Sequence, residues 1–182
     1  MTCSSSLGTF AVVWLERRGT PVVRRILLPN EQLLWSIDSA FPGARPGRHI
    51  TITKLAHAIR DFLHGADITF PLDRIALDLC SPFQRGVLRA EHRIPRGHVS
   101  TYGGIAAHLG SPNLARAVGR ALATNPFPII IPCHRAIASG GRLGGYQGGL
   151  AMKRILLAHE GVSFTDDGRI ARPHYFYPVS DR

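Results

Sequence analysis

The chain opens on two apolar, β-branched runs, Thr9 to Leu15 and Val22 to Leu28, separated by Glu16, Arg17, Arg18, Gly19 and Thr20. Such runs around a short polar break predict two strands joined by a turn. Pro42 to Gly47, rich in Pro and Gly, predicts a loop. Beyond it Ile52, Leu55, Ala56, Ile59, Phe62 and Leu63 recur at helical spacing up to Gly65, which predicts a helix that packs on the hairpin. Ile68 to Leu72 is a candidate further strand. A first α/β domain, residues 1–80, is expected to end around Asp78 to Ser81.

Ser81, Pro82, Phe83 and Gln84 carry the parts of a helix start: a hydroxyl N-cap, Pro at the first helical position, and Gln at the third to complete a capping box. Phe83, Val87, Ala90 and Ile94 mark the buried stripe, and Pro95 with Gly97 ends the helix. Thr101 is placed to cap a short helix with Ile105, Ala106 and Leu109 inward, closed by Gly110. Ser111 and Pro112 open another that runs to about Ala123. Two short helices joined by so tight a turn have helix-turn-helix geometry, in which the second enters a DNA groove. Many helical pairs bind nothing, so the pattern is weak alone.

Residues 126–132, Pro-Phe-Pro-Ile-Ile-Ile-Pro, predict a buried extended segment that delivers Cys133 from the core. Residues 140–149 hold six glycines with Tyr146 and Gln147 among them, a backbone able to approach a planar ligand closely. A last helix is expected from Leu150 to His159, ending at Glu160 and Gly161. The remaining tail, residues 166–182, offers an Asp167-Gly168 turn and a loose aromatic cluster at Tyr175, Phe176 and Tyr177. The expected fold class is α+β: a small N-terminal α/β domain, then a mainly helical domain of the winged-helix or helix-turn-helix type over residues 81–165.

Composition narrows the function. With 182 residues, 45% of them hydrophobic, the chain is ample for a folded core. No apolar run approaches the roughly 20 residues of a membrane span, and Met1 to Phe10 has neither a basic leader nor a long apolar core. A cytoplasmic address and no membrane partner are the expectations. The net charge of +10 is uneven: residues 1–80 hold nine basic and seven acidic side chains, residues 81–182 thirteen and five. The second part therefore carries +8. Twenty of the 22 basic residues are Arg, whose planar fork suits phosphates and base edges, so a polyanionic partner is expected, although a GC-rich genome also inflates Arg.

Cys3, Cys80 and Cys133 are odd in number, far apart and without a CxxC pair. That argues against a disulfide framework or a finger-type zinc site; reduced thiols and no metal or cofactor are expected. Cys133 stands between an apolar segment and a Gly-rich loop and is followed at once by His134 and Arg135. A base or cation beside a thiol raises the thiolate fraction, and the thiolate is the nucleophile. Between residues 81 and 165 the only acidic side chains are Glu91 and Glu160. Glu160 is assigned to orient His134, since a Glu at a helix C-terminus opposes the macrodipole and needs a reason to be there. The plainer alternative makes Cys133 a small buried hydrophobe and Glu160 a helix end. In the second helix of the pair Arg116 and Arg120 lie four apart, among Ala115, Ala117, Gly119, Ala121 and Ala123. So slim a helix suits the narrow minor groove, though small residues also permit close helix packing.

Pro132, Cys133, His134 and Arg135, preceded by Asn125 and Pro126 and followed by Gly145, Tyr146, Gln147, Gly148 and Gly149, resemble the active-site signature of the O6-alkylguanine-DNA alkyltransferases. The resemblance runs from Pro82 to about Val162, through Phe83 and Gln84, Tyr102, the string Ala115 to Gly119, and the ending Leu156 to Gly161. It implies that Cys133 takes an alkyl group from O6 of guanine, and from O4 of alkylthymine, in duplex DNA, in a single self-inactivating turnover by a monomer. Glu160, His134 and a water would remove the thiol proton. Arg116 would fill the gap left by a flipped nucleotide, while Tyr102 helps turn the phosphate and donates a proton toward guanine N3. Asn125 would be a hinge, and Lys153 would approach the guanine oxygen. Leu143, Gly144, Gly145, Tyr146, Gln147 and Gly148 would line the base pocket, with Arg120, Ala115, Ala117 and Arg135 among the DNA contacts. For residues 1–80 the family offers a ribonuclease-H-like fold.

Arg120, Gln147 and Leu88 depart from the family's common residues, and the first two bear on DNA grip and on the alkyl groups admitted. Gly103 and Gly104 weaken the helix start that places Tyr102. One rival reading is a DNA-binding sensor of alkylated guanine that removes nothing; Cys133 speaks against it. Another is a cysteine hydrolase, which leaves the helical pair and the basic half unexplained.

Overall fold

The opening runs pair as a hairpin in the computed structural model, whose described residues are 1–177. Strands β1 (Thr2–Ser5), β2 (Gly8–Arg17) and β3 (Thr20–Leu27) form an antiparallel sheet in that order. Arg17 pairs with Thr20, so Arg18 and Gly19 make a two-residue loop with φ of 51° and 76°, the left-handed pair that suits the twist of a hairpin. β1 has no apolar alternation and did not show in the pattern. Neither did helix α1 (Leu33–Ala40), in which only Leu33 is buried and Trp35 is 68% exposed.

Helix α2 (Ile50–Leu63) buries Ile52, Ala56, Ile59, Phe62 and Leu63, the expected stripe, and the His49 ring caps its start by accepting from the Thr51 amide at 3.1 Å. Ile68 to Leu72 is not a strand. Pro71 lacks the donor a ladder needs, and the sheet is instead joined by Ile75, which bridges Val23 in parallel. Met1–Ala76 with Pro126–Ile130 form one compact unit, and Leu77–Asn125 with the chain from Ile131 onward form the other. Within Pro126–Ile130 the backbone is buried but not extended throughout, because Ile129 adopts φ of 74°, a rare conformation for a β-branched residue.

In the second unit α3 (Pro82–His92) starts as expected, with Ser81 Oγ accepting from the Gln84 amide at 3.2 Å. The capping box is not closed. Gln84 turns away and donates instead to the carbonyls of Ala121 and Thr124, at 3.1 and 3.3 Å. Phe83 leaves the buried stripe at 40% exposed, while Val87, Ala90 and Ile94 keep to it. Thr101 caps α4 (Tyr102–His108) through the Gly104 amide at 2.9 Å, so the paired glycines do not prevent the helix. Pro112–Leu114 form a 3-10 turn that leads into α5 (Ala115–Ala123), and Ser111 makes no side-chain cap.

Strand β4 (Ser100–Thr101) pairs in parallel with β5 (Ala136–Ile137), and helix α6 (Gly149–His159) follows the glycine-rich loop. Val99, Ile137, Leu157 and Ile170 form the core beneath, with Leu143, Val162 and Phe164 packed against it. The aromatic tail is not loose. Tyr177 is buried, its hydroxyl donates to the Ala90 carbonyl at 2.9 Å, and its ring stacks on His108 at 4.1 Å. The tail expectation for residues 178–182 lies outside the described residues.

Candidate active site

Cys133 opens a single 3-10 turn, Cys133–Arg135, that the Pro-rich segment delivers into the interior. Three consecutive side chains diverge there toward different partners. Cys133 Sγ accepts a hydrogen bond from Asn125 Nδ2 at 3.2 Å, and the same amide donates to the Ile131 carbonyl at 3.1 Å. Asn125 is fully buried just beyond α5, so one side chain ties the end of that helix to the thiol. Burial pushes the thiol up to about 12; Asn125 and Lys153 oppose this and Glu91 adds to it.

His134 is wholly buried and its Nε2 lies 2.8 Å from Glu160 Oε1. Arg135 clasps the same carboxylate with Nε at 2.9 Å from Oε2 and Nη2 at 2.7 Å from Oε1, while Nη1 donates to the Ile94 carbonyl at 2.5 Å. Burial opposes ionisation of Glu160, but His134 and Arg135 outweigh it and hold the carboxyl down at about 2. Burial likewise lowers the histidine, against the pull of Glu160. An ionised carboxylate only accepts, so Nε2 carries the ring proton and the neutral imidazole presents its lone pair at Nδ1. The Glu at the end of α6 is thus explained by its partners. Arg135, expected among the DNA contacts, is instead 8% exposed and committed to the interior.

Lys153 on α6 is also fully buried, and Nζ donates to the carbonyls of Ala136, Leu143 and Gly145 at 2.6, 2.5 and 3.2 Å. Its N–H groups therefore tie the glycine-rich loop to β5, where an approach to an incoming ligand was expected. Burial lowers it to about 8. Its positive charge remains within the site even though its donors are spent.

A cavity of about 450 Å³ lies over Cys133, lined by Tyr102, Gly119, Leu122, Ala123, Gly145, Tyr146 and Gln147. Of the six expected pocket residues, Gly145, Tyr146 and Gln147 line it; Leu143 packs on the core, and Gly144 and Gly148 stand off the wall. Gly144, at φ of 67°, backs onto Tyr102 so closely that a Cβ there would lie 2.8 Å from the phenol oxygen. The lining from α5, Gly119, Leu122 and Ala123, escaped the sequence reading; the signal was the same small-residue string that marked the slim helix. Burial pushes Tyr102 up to about 12, so it stays a hydrogen-bond donor at neutral pH. Gln147 Nε2 donates to the Asn125 carbonyl at 2.9 Å. Arg116 and Arg120 are exposed on one side of α5, and Ala115 and Ala117 are half-buried. A larger groove in the first unit, about 1220 Å³ beside Leu34 and Trp35, has Glu31 as its only titratable side chain and offers no nucleophile.

Among the described residues no cluster of three metal-ligating side chains occurs, and no helix is long and apolar enough to cross a membrane. A helix-turn-helix whose second helix walls a cavity with a thiol at its floor defines a class of protein that presents a cysteine nucleophile beside a groove-reading helix. The comparisons agree. Residues 82–162 match the family described as "6-O-methylguanine DNA methyltransferase, DNA binding domain". A "Methylated-DNA--protein-cysteine methyltransferase" of Methanothermobacter thermautotrophicus is 43% identical over 153 residues, 84% of this chain and 79% of that one. The protein of the same name from Salmonella typhimurium is 53% identical over 81 residues, 44% of this chain and 47% of its own length. Among solved structures, that of Mycobacterium tuberculosis OGT in complex with DNA superposes with a TM-score of 0.64 at 29% identity, covering 88% of this chain and 91% of that one. The chain belongs to the methylated-DNA--protein-cysteine methyltransferase family.

Proposed function

We propose that this protein takes the alkyl group from O6 of a guanine in duplex DNA onto Cys133, once per molecule, and that residues 81–165 carry the whole of that activity. The observation that carries the reading is the placement of Cys133 Sγ: on the floor of a base-sized cavity, held by Asn125, in the same turn as a histidine oriented by Glu160. A base paired inside a duplex cannot reach such a floor, so the nucleotide is rotated out, at a cost of a few kcal/mol that contacts to DNA offset. The relative from Mycobacterium tuberculosis, solved in complex with DNA, supports DNA as the partner. Arg116 and Arg120 on the exposed side of α5 are placed to grip the duplex or fill the gap.

A thiol at about 12 is almost wholly protonated at pH 7, and a preformed thiolate would cost about 7 kcal/mol. Proton removal is therefore coupled to attack. His134 Nδ1 takes the thiol proton through an intervening water, with Glu160 stabilising the imidazolium against the opposing charge of Arg135. A sulfur–carbon bond forms as the carbon–O6 bond breaks; the electron pair goes into the guanine ring, whose N3 takes the Tyr102 phenol proton, and the proton held on His134 restores the phenol through water. The product is a thioether, and no group in the site is suited to hydrolyse it. Alkylated thymine, attacked at O4, fits the same chemistry, and the protein acts as a monomer.

The test is to incubate the protein with duplex DNA carrying O6-methylguanine and weigh the Cys133 peptide. One added methyl per chain is expected, and Cys133→Ala should bind DNA yet transfer nothing. An unmodified peptide, or lesion clearance by Cys133→Ala, overturns the reading.

A further inference from the structure

Glu91 has no part in the chemistry described so far, yet it is buried beside it. It stands in the last turn of α3, the helix that packs against the Cys133–Arg135 turn, and its side chain is wholly inaccessible. Among the described residues none hydrogen-bonds either carboxylate oxygen, the nearest help being a weak interaction with the Ala136 amide. Nor is it in an ion pair with any described residue. The two cations that act on it are engaged elsewhere: Arg135 with Glu160 and the Ile94 carbonyl, Lys153 with three carbonyls. Glu91 in turn acts on Cys133, on Tyr102 of α4 and on Tyr177. A carboxylate denied water and an ion pair, with one backbone amide as its nearest aid, is far costlier than the neutral acid.

The charges around the thiol then add up simply. Arg135 and Glu160 cancel, and His134 is neutral. What remains is Lys153 and whatever Glu91 carries. With Glu91 neutral the site holds one net positive charge; with Glu91 ionised it holds none, and a second negative charge faces the sulfur. We propose that Glu91 is a positioning residue that stays the neutral acid, so that the charge of Lys153 is reserved for the thiolate developing at Cys133. This rests on Cys133 being the alkyl acceptor. Burial pushes Glu91 up to about 8, and its ionisation above that value both offsets the charge of Lys153 and sets an anion facing the sulfur, an effect that the loss of the Lys153 proton does not have.

The experiment follows benzyl transfer from free O6-benzylguanine to the Cys133 peptide, by mass spectrometry between pH 6 and 10. It uses the whole protein and its Glu91→Gln and Glu91→Leu variants, the second guarding against a misfolded first. Alkylation of the same peptide by iodoacetamide is measured alongside. The wild-type rate should bend downward above pH 8, and the ratio of variant to wild-type rate should grow about fivefold or more between pH 7 and 9, as expected when an ionising neighbour is removed. Superimposable pH profiles, with transfer occurring, overturn the role of Glu91 alone. No benzyl transfer at any pH, with the iodoacetamide profile still shifted by the variants, overturns the acceptor reading and leaves the influence of Glu91 on the thiol standing.

Discussion

Glu160 and Glu91 are the only carboxylates between residues 81 and 165, both are buried, and their surroundings drive them to opposite states. At the end of α6 Glu160 receives a guanidinium fork and an imidazole, and is ionised down to about pH 2. On α3 Glu91 receives neither and is held up at about 8. Burial is common to both and would raise both, so the difference is made by partners alone. The same residue type therefore supplies a fixed anion on one side of Cys133 and a neutral acid on the other.

The comparison breaks most severely at Glu160. Replacing it with Gln leaves the Arg135 charge buried without its counter-ion, and unfolding free energy should fall by about 3–5 kcal/mol. Alkyl transfer should drop about a hundredfold or more as His134 loses its orienting anion. Denaturant melts and single-turnover rates check this; a variant as stable and as fast as the parent would mean that the cluster is decoration. Acid gives a second handle. The Glu160 carboxyl sits below its ordinary 4.5, so its stabilisation is fully present above that value and is lost as pH falls toward 2, by about 3 kcal/mol. Melts of the wild type and Glu160→Gln should therefore draw together as pH falls from 4.5 and converge at about pH 2.

Glu91 has the reverse sign. Its folded-state value lies above the ordinary 4.5, so the native state binds the extra proton and stability drains away as pH rises from 4.5 to about 8. Glu91→Leu should accordingly melt higher than the parent at pH 8, by about 1–4 kcal/mol, with the gain shrinking toward pH 5. A gain independent of pH would show that packing, not charge, is what the leucine improves. The smallest expected effect is at Gln147. Truncation to Ala removes a part-buried hydrogen bond to the Asn125 carbonyl and a longer one to that of Leu122, costing about 1 kcal/mol, and should alter the rate ratio between O6-benzylguanine and O6-methylguanine. An unaltered ratio would show that the clip does not shape the pocket.

These contrasts mark how far the sequence could be read. The helical spacing of Ile52 to Leu63 and the Ser81, Pro82 start became helices, because capping and periodicity are local facts. The thiol, its histidine and the carboxylate at Glu160 were legible from residue type and charge scarcity, and the structure brings all three together. What failed was non-local. Gln84 has the chemistry of a capping box, but the carbonyls at the end of α5 compete for its amide and win. Arg135 looks like a surface cation until its partner comes from 25 residues away. Lys153 and Glu91 were ambiguous for the same reason: whether a charge is satisfied depends on which carbonyls and cations the fold delivers, and that is not written in its neighbours. β1 and α1 were missed because neither buries a periodic face.

The end of α5 has a consequence of its own. Its terminal carbonyls are received by Gln84 from α3 and, one residue further on, the chain is gripped by Gln147 from the glycine-rich loop, while the Asn125 amide holds the thiol. Three parts of the molecule that are distant in sequence thus share one anchorage. A load applied along the helix at Arg116 or Arg120 is borne at that point by the floor of the cavity as well as by the glycine-rich loop that lines it. The helix works as a strut rather than a spoke, and surface substitutions on it should be felt at the sulfur without touching it.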